Sequence, residues 1–223
     1  MIRLQHVGKV FGSGPSRRVA LSDVSFSVAR GEFAVLNGPS GAGKTTLLRL
    51  IYREELPTEG EIEIAGIDVP GLRRGQVPRL RRSIGIVFQD AKLLAGRTVF
   101  ENIAFVLRVI GIPRRDITPR AFAALKAVGL SSRAQAYPKQ LSQGEAQRAS
   151  LARAIAKSPG LLLADEPTGN LDEDMAEEIL EVLRDIWQRG TTVFLATHQA
   201  GLAGHLKRRT LTLDGGRLVK DEG

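Results

Sequence analysis

Hydrophobic and polar residues alternate along the first part of the chain. Over residues 2–7 (IRLQHV), Ile2, Leu4 and His6 fall on one face of an extended chain, and residues 24–28 (VSFSV) alternate in the same way. A period of two residues is typical of strands that bury one face. The N-terminal part of the chain therefore predicts antiparallel strands joined by turns.

Three further segments are mostly apolar and do not alternate: residues 32–36 (EFAVL), 161–164 (LLLA) and 191–196 (TTVFLA). Runs of this kind are typical of strands that are buried on both faces of a parallel sheet. Between the second and third runs, apolar residues recur at helical spacing from Met175 to Ile186. Strand, helix and strand in this order predict a right-handed parallel crossover and an α/β core.

The middle of the chain is rich in Ala, Leu and Arg over residues 99–158, a composition that favours helices. Breaks in these helices are expected near residues 111–113, Pro119, Gly129 and Pro138. A helical insertion within a βα framework is the simplest architecture that fits this order.

We therefore expect a single α/β domain over residues 1–223, with an N-terminal antiparallel β subdomain. Its α/β core would comprise residues 1–88 and 159–223. An inserted helical subdomain would comprise about residues 89–158.

Composition excludes several kinds of protein. The chain has no cysteine, which excludes disulfides, thiolate metal sites and cysteine nucleophiles. No apolar run approaches the roughly 18 residues of a membrane span, and the N-terminus lacks the apolar core of a signal peptide, so we expect a soluble, cytoplasmic protein. Lys and Arg number 32 against 24 Asp and Glu, a net charge of +8 that suits an acidic partner such as nucleic acid or an anionic membrane surface.

Residues 38–45 (GPSGAGKT) match the pattern G-x-x-x-x-G-K-[S/T] and lie between a predicted strand and a predicted helix. In such a P-loop, backbone N–H groups converge on a phosphate, Lys44 reaches the β and γ phosphates and Thr45 offers a hydroxyl to Mg²⁺. The alternative is a glycine-rich turn that matches by chance, and the flanking strand and helix argue against it. The candidate nucleotide-binding residues are Gly38, Pro39, Ser40, Gly41, Ala42, Gly43, Lys44, Thr45 and Thr46.

Two adjacent acids, Asp165 and Glu166, follow the apolar run at residues 161–164. Ligands of open α/β sheets usually bind at the carboxyl ends of the strands. In a P-loop enzyme, Asp165 would hold Mg²⁺ and Glu166 would orient or deprotonate the attacking water. The alternative is a solvated pair of acids in a turn.

Other polar motifs have both a functional and an ordinary interpretation. Ser142 and Glu145, within the segment LSQGE, form a simple capping box if they only begin a helix, although the same helix N-terminus could receive a phosphate. His198, which follows the last apolar run, could be an ordinary core or surface histidine. Phe11 could be a core residue of a strand, and Gln89 an ordinary loop residue.

These motifs span nearly the whole chain, which resembles the ATP-binding cassette (ABC) ATPases, P-loop NTPases with a RecA-like core. The resemblance implies an ATPase with ATP and Mg²⁺ as cofactors, in which Phe11 stacks on adenine and His198 is the switch histidine. Its catalytic residues would be Lys44, Gln89 of the Q-loop, Glu166 and His198, and its Mg²⁺ ligands Thr45, Gln89 and Asp165.

The resemblance also implies a homodimer in the ATP-bound state, in which each P-loop faces the signature motif of the other copy. The signature residues would be Leu141, Ser142, Gln143, Gly144 and Glu145, and the D-loop residues Asn170, Leu171 and Asp172.

Two signature positions depart from the family's usual pattern. Gln143 stands where the family most often has Gly, and it would be strained if the position required a positive φ. Glu145 stands where the family most often has Gln; it favours the helix N-terminus but repels a nearby γ-phosphate. We therefore expect an ATPase activity that is low in the isolated chain and is raised by a partner.

Residues 77–90 (VPRLRRSIGIVFQD) and the segment LLADEPTGNLD resemble the branch of the family that acts in cell division, performing mechanical work across the membrane. This implies an integral membrane subunit that docks near the Q-loop, and a location at the inner membrane surface. ATPases of lipoprotein-release or macrolide-efflux systems are the alternative.

A nucleic-acid-associated ABC ATPase is a more remote alternative. Arginines cluster over residues 73–82, and a second basic group lies at residues 207–209. The chain has only 1 Trp, 2 Tyr and 8 Phe, and they do not interleave with these clusters, so no nucleic acid partner is expected.

Two chains would together carry a formal charge of about +16, which suits an anionic inner membrane leaflet.

Overall fold

The computed structural model describes residues 1–199 and 208–223, so Lys207 lies outside the described residues. The chain divides into two compact units, residues 1–81 with 192–223 and residues 82–191. In chain order the helices and strands are β1 (Ile2–Phe11), β2 (Arg18–Val28), β3 (Phe33–Asn37), α1 (Lys44–Ile51), β4 (Glu59–Ile64), β5 (Ile67–Asp68), α2 (Val77–Ser83), β6 (Ile84–Val87), α3 (Val99–Val109), α4 (Arg114–Ala127), α5 (Gln143–Ile155), β7 (Leu161–Asp165), α6 (Glu173–Gln188), β8 (Thr192–Thr197), β9 (Arg209–Asp214) and β10 (Arg217–Glu222).

The first unit contains an antiparallel sheet with the strand order β2-β1-β4-β5. Val24, Phe26 and Val28 of β2 are buried, as the alternation predicts. In β1 the alternation is wrong at one point, because His6 is exposed whereas Val7 is fully buried. His6 has a φ of +50°, and the pairing with β2 shifts between Leu4 and Val7. A bulge at this point moves the following side chains to the opposite face.

The same unit also contains parallel strands. β3 pairs in parallel with β8 and with β9, and β10 pairs antiparallel with β9. Four consecutive residues of β3, from Phe33 to Leu36, are buried, as expected for a strand covered on both faces. The P-loop and α1 follow directly from this strand.

The second unit combines the parallel pair β6 and β7 with helices α3 to α6. Helices α3, α4 and α5 pack on one another through buried residues such as Ile103, Leu107 and Leu125. The breaks expected near Gly111 and Gly129 are present. Pro119, in contrast, lies inside α4, and the helix continues past it.

Pro119 is tolerated because a proline removes only one helical hydrogen bond, and α4 is held by a buried face. This face comprises Ile117, Ala121, Ala124 and Leu125.

The antiparallel N-terminal strands and the parallel strands confirm the predicted fold class. Within residues 1–199 and 208–223, the helices all lack the combination of length and hydropathy needed to cross a membrane.

Candidate functional site

The P-loop forms a tight turn between β3 and α1 in the first unit. The Ala42 N–H donates to the Pro39 carbonyl at 3.1 Å, and Gly43 is the N-cap of α1. The Lys44 side chain is buried and folds back over the loop, where its ammonium donates to the Gly38 carbonyl at 2.7 Å and to the Pro39 carbonyl at 3.0 Å. Thr45 is exposed. This arrangement aims a lysine ammonium and a helix N-terminus at the same loop, which is what phosphate binding requires.

Gly43 cannot be replaced without distorting this turn. Its φ is +107°, and a Cβ atom would lie 2.7 Å from the Ala20 carbonyl oxygen and 2.9 Å from a Leu21 methyl group, both in β2. The glycine therefore serves two purposes: it adopts a backbone conformation that L side chains disfavour, and it allows close approach to β2.

His198 lies at the same sheet edge as the P-loop. Thr197 at the end of β8 pairs in register with Asn37 at the end of β3, so His198 and Gly38 both follow paired residues of adjacent parallel strands. The His198 side chain is exposed. The first unit thus brings the predicted switch histidine next to the predicted phosphate loop.

Phe11 ends β1, where it pairs with Arg18 of β2. Its ring is half-buried, and the Lys9 ammonium lies 4.6 Å from the ring centre. Lys9 in turn donates to a Glu55 carboxylate oxygen and to the Leu56 carbonyl, both at 2.8 Å. The Phe11 ring is therefore only partly covered, as an aromatic surface for a ligand must be.

Asp165 and Glu166 lie at the carboxyl end of β7 in the second unit. Both are half-buried, and Glu166 has a φ of +47°, in the left-handed region. The Glu166 carbonyl accepts the Gly169 N–H at 3.1 Å, which closes a turn. Non-glycine residues held in the left-handed region are often found at functional sites, because surrounding structure must maintain them.

The predicted D-loop leads from this turn into α6. Asp172 is the N-cap of α6, and its carboxylate accepts the Met175 N–H at 2.9 Å. Asn170 is exposed and accepts a long hydrogen bond, at 3.4 Å, from the Gln89 side-chain amide. The predicted Q-loop and D-loop residues are therefore neighbours within the second unit.

The signature segment begins α5 with a complete capping box. Ser142 Oγ accepts the Glu145 N–H at 3.1 Å, and a Glu145 carboxylate oxygen accepts the Ser142 N–H at 2.9 Å. Gln143 is helical and exposed and has no positive φ, so the strain considered from the sequence does not arise. Within the part of the chain that the structure describes, the backbone N–H groups of Gln143 and Gly144 have no hydrogen-bond acceptor. A hydroxyl that accepts one bond still has a proton to donate, so the capping box is compatible with phosphate binding.

Glu145 also forms an ion pair that the sequence analysis missed. Its second carboxylate oxygen accepts a bond from Arg133 Nε at 2.8 Å, and only 16% of the Glu145 side chain is exposed. The hydrogen bond from the Ser142 N–H and then the bond from Arg133 lower the pKa of Glu145. Glu145 is therefore ionised at neutral pH, with its charge compensated.

A small cavity of ≈ 150 Å³ in the second unit brings three of the predicted motifs together. Its lining includes Gln89 of the Q-loop, Gln143 of the signature, and Asn170 and Leu171 of the D-loop.

Side chains of α5, the helix that begins with the signature, form hydrogen bonds to residues on both sides of Gln89. The side-chain amide of Gln147, which is buried, donates to the Phe88 carbonyl at 2.9 Å. The guanidinium of Arg153 donates to the Ala91 carbonyl at 2.8 Å and to the Lys92 carbonyl at 2.6 Å. The only sequence signal for these residues is a pair of long polar side chains in an Ala-rich helix.

We expect Arg153→Gln to lower the free energy of unfolding by about 2 kcal/mol, because it removes charge-assisted hydrogen bonds to two loop carbonyls. Urea unfolding would measure the change. Arg184→Gln is the matched control, since the ion pair found for Arg184 among the described residues is a long one, at 3.5 Å, with Glu177 on the surface of α6. If Arg153→Gln lowers the free energy of unfolding no more than Arg184→Gln does, by about 0.5 kcal/mol or less, then the bonds from Arg153 to the loop carbonyls contribute little to stability.

The predicted Mg²⁺ ligands fit the ion in their chemistry. The Thr45 hydroxyl, the Gln89 amide oxygen and the Asp165 carboxylate are all oxygen donors, which Mg²⁺ prefers. Among the described residues, no group of three or more His, Cys, Asp or Glu side chains is arranged to hold a metal ion.

Sequence comparisons identify the family. The family model described as ABC transporter matches residues 21–169. The cell division ATP-binding protein FtsE of Streptococcus pneumoniae is 45% identical over 222 residues, covering 100% of this chain and 95% of the relative. FtsE of Escherichia coli is 47% identical over 218 residues, covering 98% of this chain and 97% of the relative.

Solved structures support the same family assignment. The dimeric ATP-binding cassette MJ0796, in a post-hydrolysis state bound to ADP and Pi, matches with a TM-score of 0.91 and 34% identity, covering 100% of this chain and 98% of that one. The match extends over both units, including the P-loop, the signature and the final strands. The chain therefore belongs to the ABC transporter family, as an ATP-binding cassette ATPase homologous to FtsE.

Proposed function

We propose that this protein is the ATPase of an FtsE-like cell-division complex, in which it works with an FtsX-like integral membrane subunit to regulate cell-wall hydrolysis. The observation that carries this proposal is the similarity to FtsE proteins over the full length of the chain, at 45% and 47% identity. The regions of similarity include the Q-loop, where the membrane subunit would dock.

ATP binds first through the P-loop. Its phosphates lie against the backbone of residues 38–46, with the Lys44 ammonium on the β and γ phosphates, and its adenine stacks on the half-buried ring of Phe11. Lys44 already points into the loop through its bonds to the Gly38 and Pro39 carbonyls, and a phosphate oxygen would replace these acceptors. Thr45, Gln89 and Asp165 would hold Mg²⁺, which would supply positive charge to neutralise part of the phosphate charge.

Hydrolysis uses Glu166 and His198. Glu166 accepts a proton from, or orients, the water that attacks the γ-phosphate in line with the leaving oxygen. His198, when neutral, holds the γ-phosphate and the water by hydrogen bonds. The left-handed backbone of Glu166 and the turn that follows it support this role, since they fix the direction of the carboxylate.

Two copies close around two ATP molecules. Ser142, the N–H groups of Gln143 and Gly144, and the flanking Leu141 of one copy would meet the γ-phosphate bound by the other, with Asn170, Leu171 and Asp172 next to the dimer contact. The dimers in which MJ0796 has been solved support this assembly.

The helical subdomain of about residues 89–158 would couple docking of the membrane subunit to closure of the dimer around ATP. A membrane subunit that docks near Gln89 would act on the signature through α5, because Gln147 and Arg153 tie this helix to residues 88–92. The protein would lie in the cytoplasm against the inner face of the membrane, where its net charge of +8 favours anionic lipids. No nucleic acid partner is proposed.

The test is reconstitution with the membrane protein encoded by the neighbouring reading frame, which is expected to have four spans and one large external loop. The purified chain should hydrolyse ATP slowly, and the membrane protein in vesicles should raise the rate by about tenfold or more. A membrane protein of unrelated fold in the same vesicles is the control. Rapid turnover by the chain alone, or no response to the membrane protein, would contradict the proposal.

A further inference from the structure

The ion pair between Arg133 and Glu145 lies at the start of the signature helix, next to the groups proposed to receive a γ-phosphate. Glu145 occupies the third position of α5, one residue after Gly144. Its carboxylate is ionised, because the Ser142 N–H and Arg133 lower its pKa. A bare negative charge in the first turn would oppose the attraction that the helix N-terminus exerts on an anion.

Arg133 is held in place by the segment on which it lies. It ends a short 3₁₀ turn, Ser131–Arg133, after α4. The Phe100 N–H donates to the Ala134 carbonyl, and the Val99 N–H donates to the Ala136 carbonyl, each at 2.9 Å. These bonds attach the segment to the first turn of α3, so the guanidinium reaches Glu145 from a fixed backbone.

Both carboxylate oxygens of Glu145 are thereby engaged. One accepts the Ser142 N–H at 2.9 Å, and the other accepts Arg133 Nε at 2.8 Å. The side chain is turned back onto the N-cap and is only 16% exposed, whereas the side chain of Arg133 is 51% exposed. Arg133 thus fixes the orientation of the carboxylate and supplies the opposite charge.

We infer that Arg133 is a positioning residue for ATP-driven dimerisation: it neutralises Glu145 and holds it in the capping box, so that the signature remains attractive to the γ-phosphate bound by a partner copy. The inference rests on the proposed function, since it needs the signature to meet ATP across a dimer. It explains how a glutamate is accommodated at this signature position.

The expected effect follows from the exposure of the pair and from the symmetry of the dimer. Partly exposed ion pairs contribute little free energy, so the loss of Arg133 should lower the affinity of each signature for the γ-phosphate about threefold. Because two signatures act in one closed dimer, the association constant for dimerisation should fall about tenfold.

The test uses the full chain carrying Glu166→Gln, so that ATP is not consumed, and measures dimerisation with ATP and Mg²⁺ by analytical ultracentrifugation. Adding Arg133→Gln should weaken dimerisation about tenfold, while leaving ATP binding to the monomer unchanged. Adding Glu145→Gln as well should restore dimerisation, because no charge then remains to neutralise and a glutamine can still complete the capping box. If Arg133 had a purely structural role, Glu145→Gln would not restore dimerisation.

Arg120→Gln is the matched control. It removes one positive charge from an exposed residue of α4. It should leave dimerisation unchanged. Equal dimerisation of the Arg133→Gln protein and its parent, or failure of Glu145→Gln to restore it, would overturn the inference alone. If the Glu166→Gln parent itself stays monomeric with ATP, the proposed dimer is overturned and the inference with it.

Discussion

Glu166→Gln should slow ATP turnover by about 10²- to 10⁴-fold and leave an ATP-bound dimer that survives gel filtration. The amide has the size and shape of the carboxylate but cannot accept the proton of the attacking water. Binding of ATP, which depends on the P-loop, should be retained. Phosphate release would measure turnover, and light scattering during gel filtration with ATP and Mg²⁺ would measure the dimer.

Glu181→Gln is the control for this substitution, since Glu181 is an exposed acid of α6. It should leave turnover unchanged and should not accumulate a dimer. If the Glu166→Gln protein hydrolyses ATP at the parental rate, Glu166 is not the residue that activates water.

Lys44→Ala should weaken ATP binding by about 100-fold or more, which corresponds to roughly 3 kcal/mol. The side chain is only 4% exposed and lies over the loop that would hold the phosphates, so its loss removes a desolvated positive charge from the site. Isothermal titration calorimetry with ATP and Mg²⁺ measures the change.

Arg49→Ala provides the matched control because it removes a positive charge from the exposed face of the same helix. Its contact with Glu54 is long, at 3.8 Å, so the substitution should alter ATP affinity by less than about twofold. Urea unfolding of both variants separates a binding defect from unfolding. An ATP affinity of Lys44→Ala within a few-fold of the parent would exclude residues 38–46 as the principal phosphate site.

The strand, loop and helix around the predicted phosphate loop could be predicted from the sequence because their signal is local. The strand, the loop and the helix are contiguous around residues 38–45, and each has its own pattern. The position of His198 next to this loop depends on the parallel pairing of β3 with β8, which the order of strands along the chain does not determine. The bulge at His6 could not be predicted, because it depends on simultaneous pairing of β1 with β2 and β4.

The contacts that fasten the candidate site were not predictable for a related reason. The bonds from Gln147 to Phe88 and from Arg153 to Ala91 join residues 59 and 62 positions apart. Arg133 and Glu145 are separated by only 12 positions, but the turn between α4 and α5 decides whether they meet. The left-handed backbone of Glu166 has no sequence signal, because the residue is not a glycine.

The most direct test of the proposed ATP-bound dimer is a structure of the Glu166→Gln protein with ATP and Mg²⁺. We expect two chains around two ATP molecules, each γ-phosphate lying between Lys44 of one copy and Ser142 of the other. ATP bound to a P-loop with no signature from a second copy against its γ-phosphate would contradict the proposed dimer.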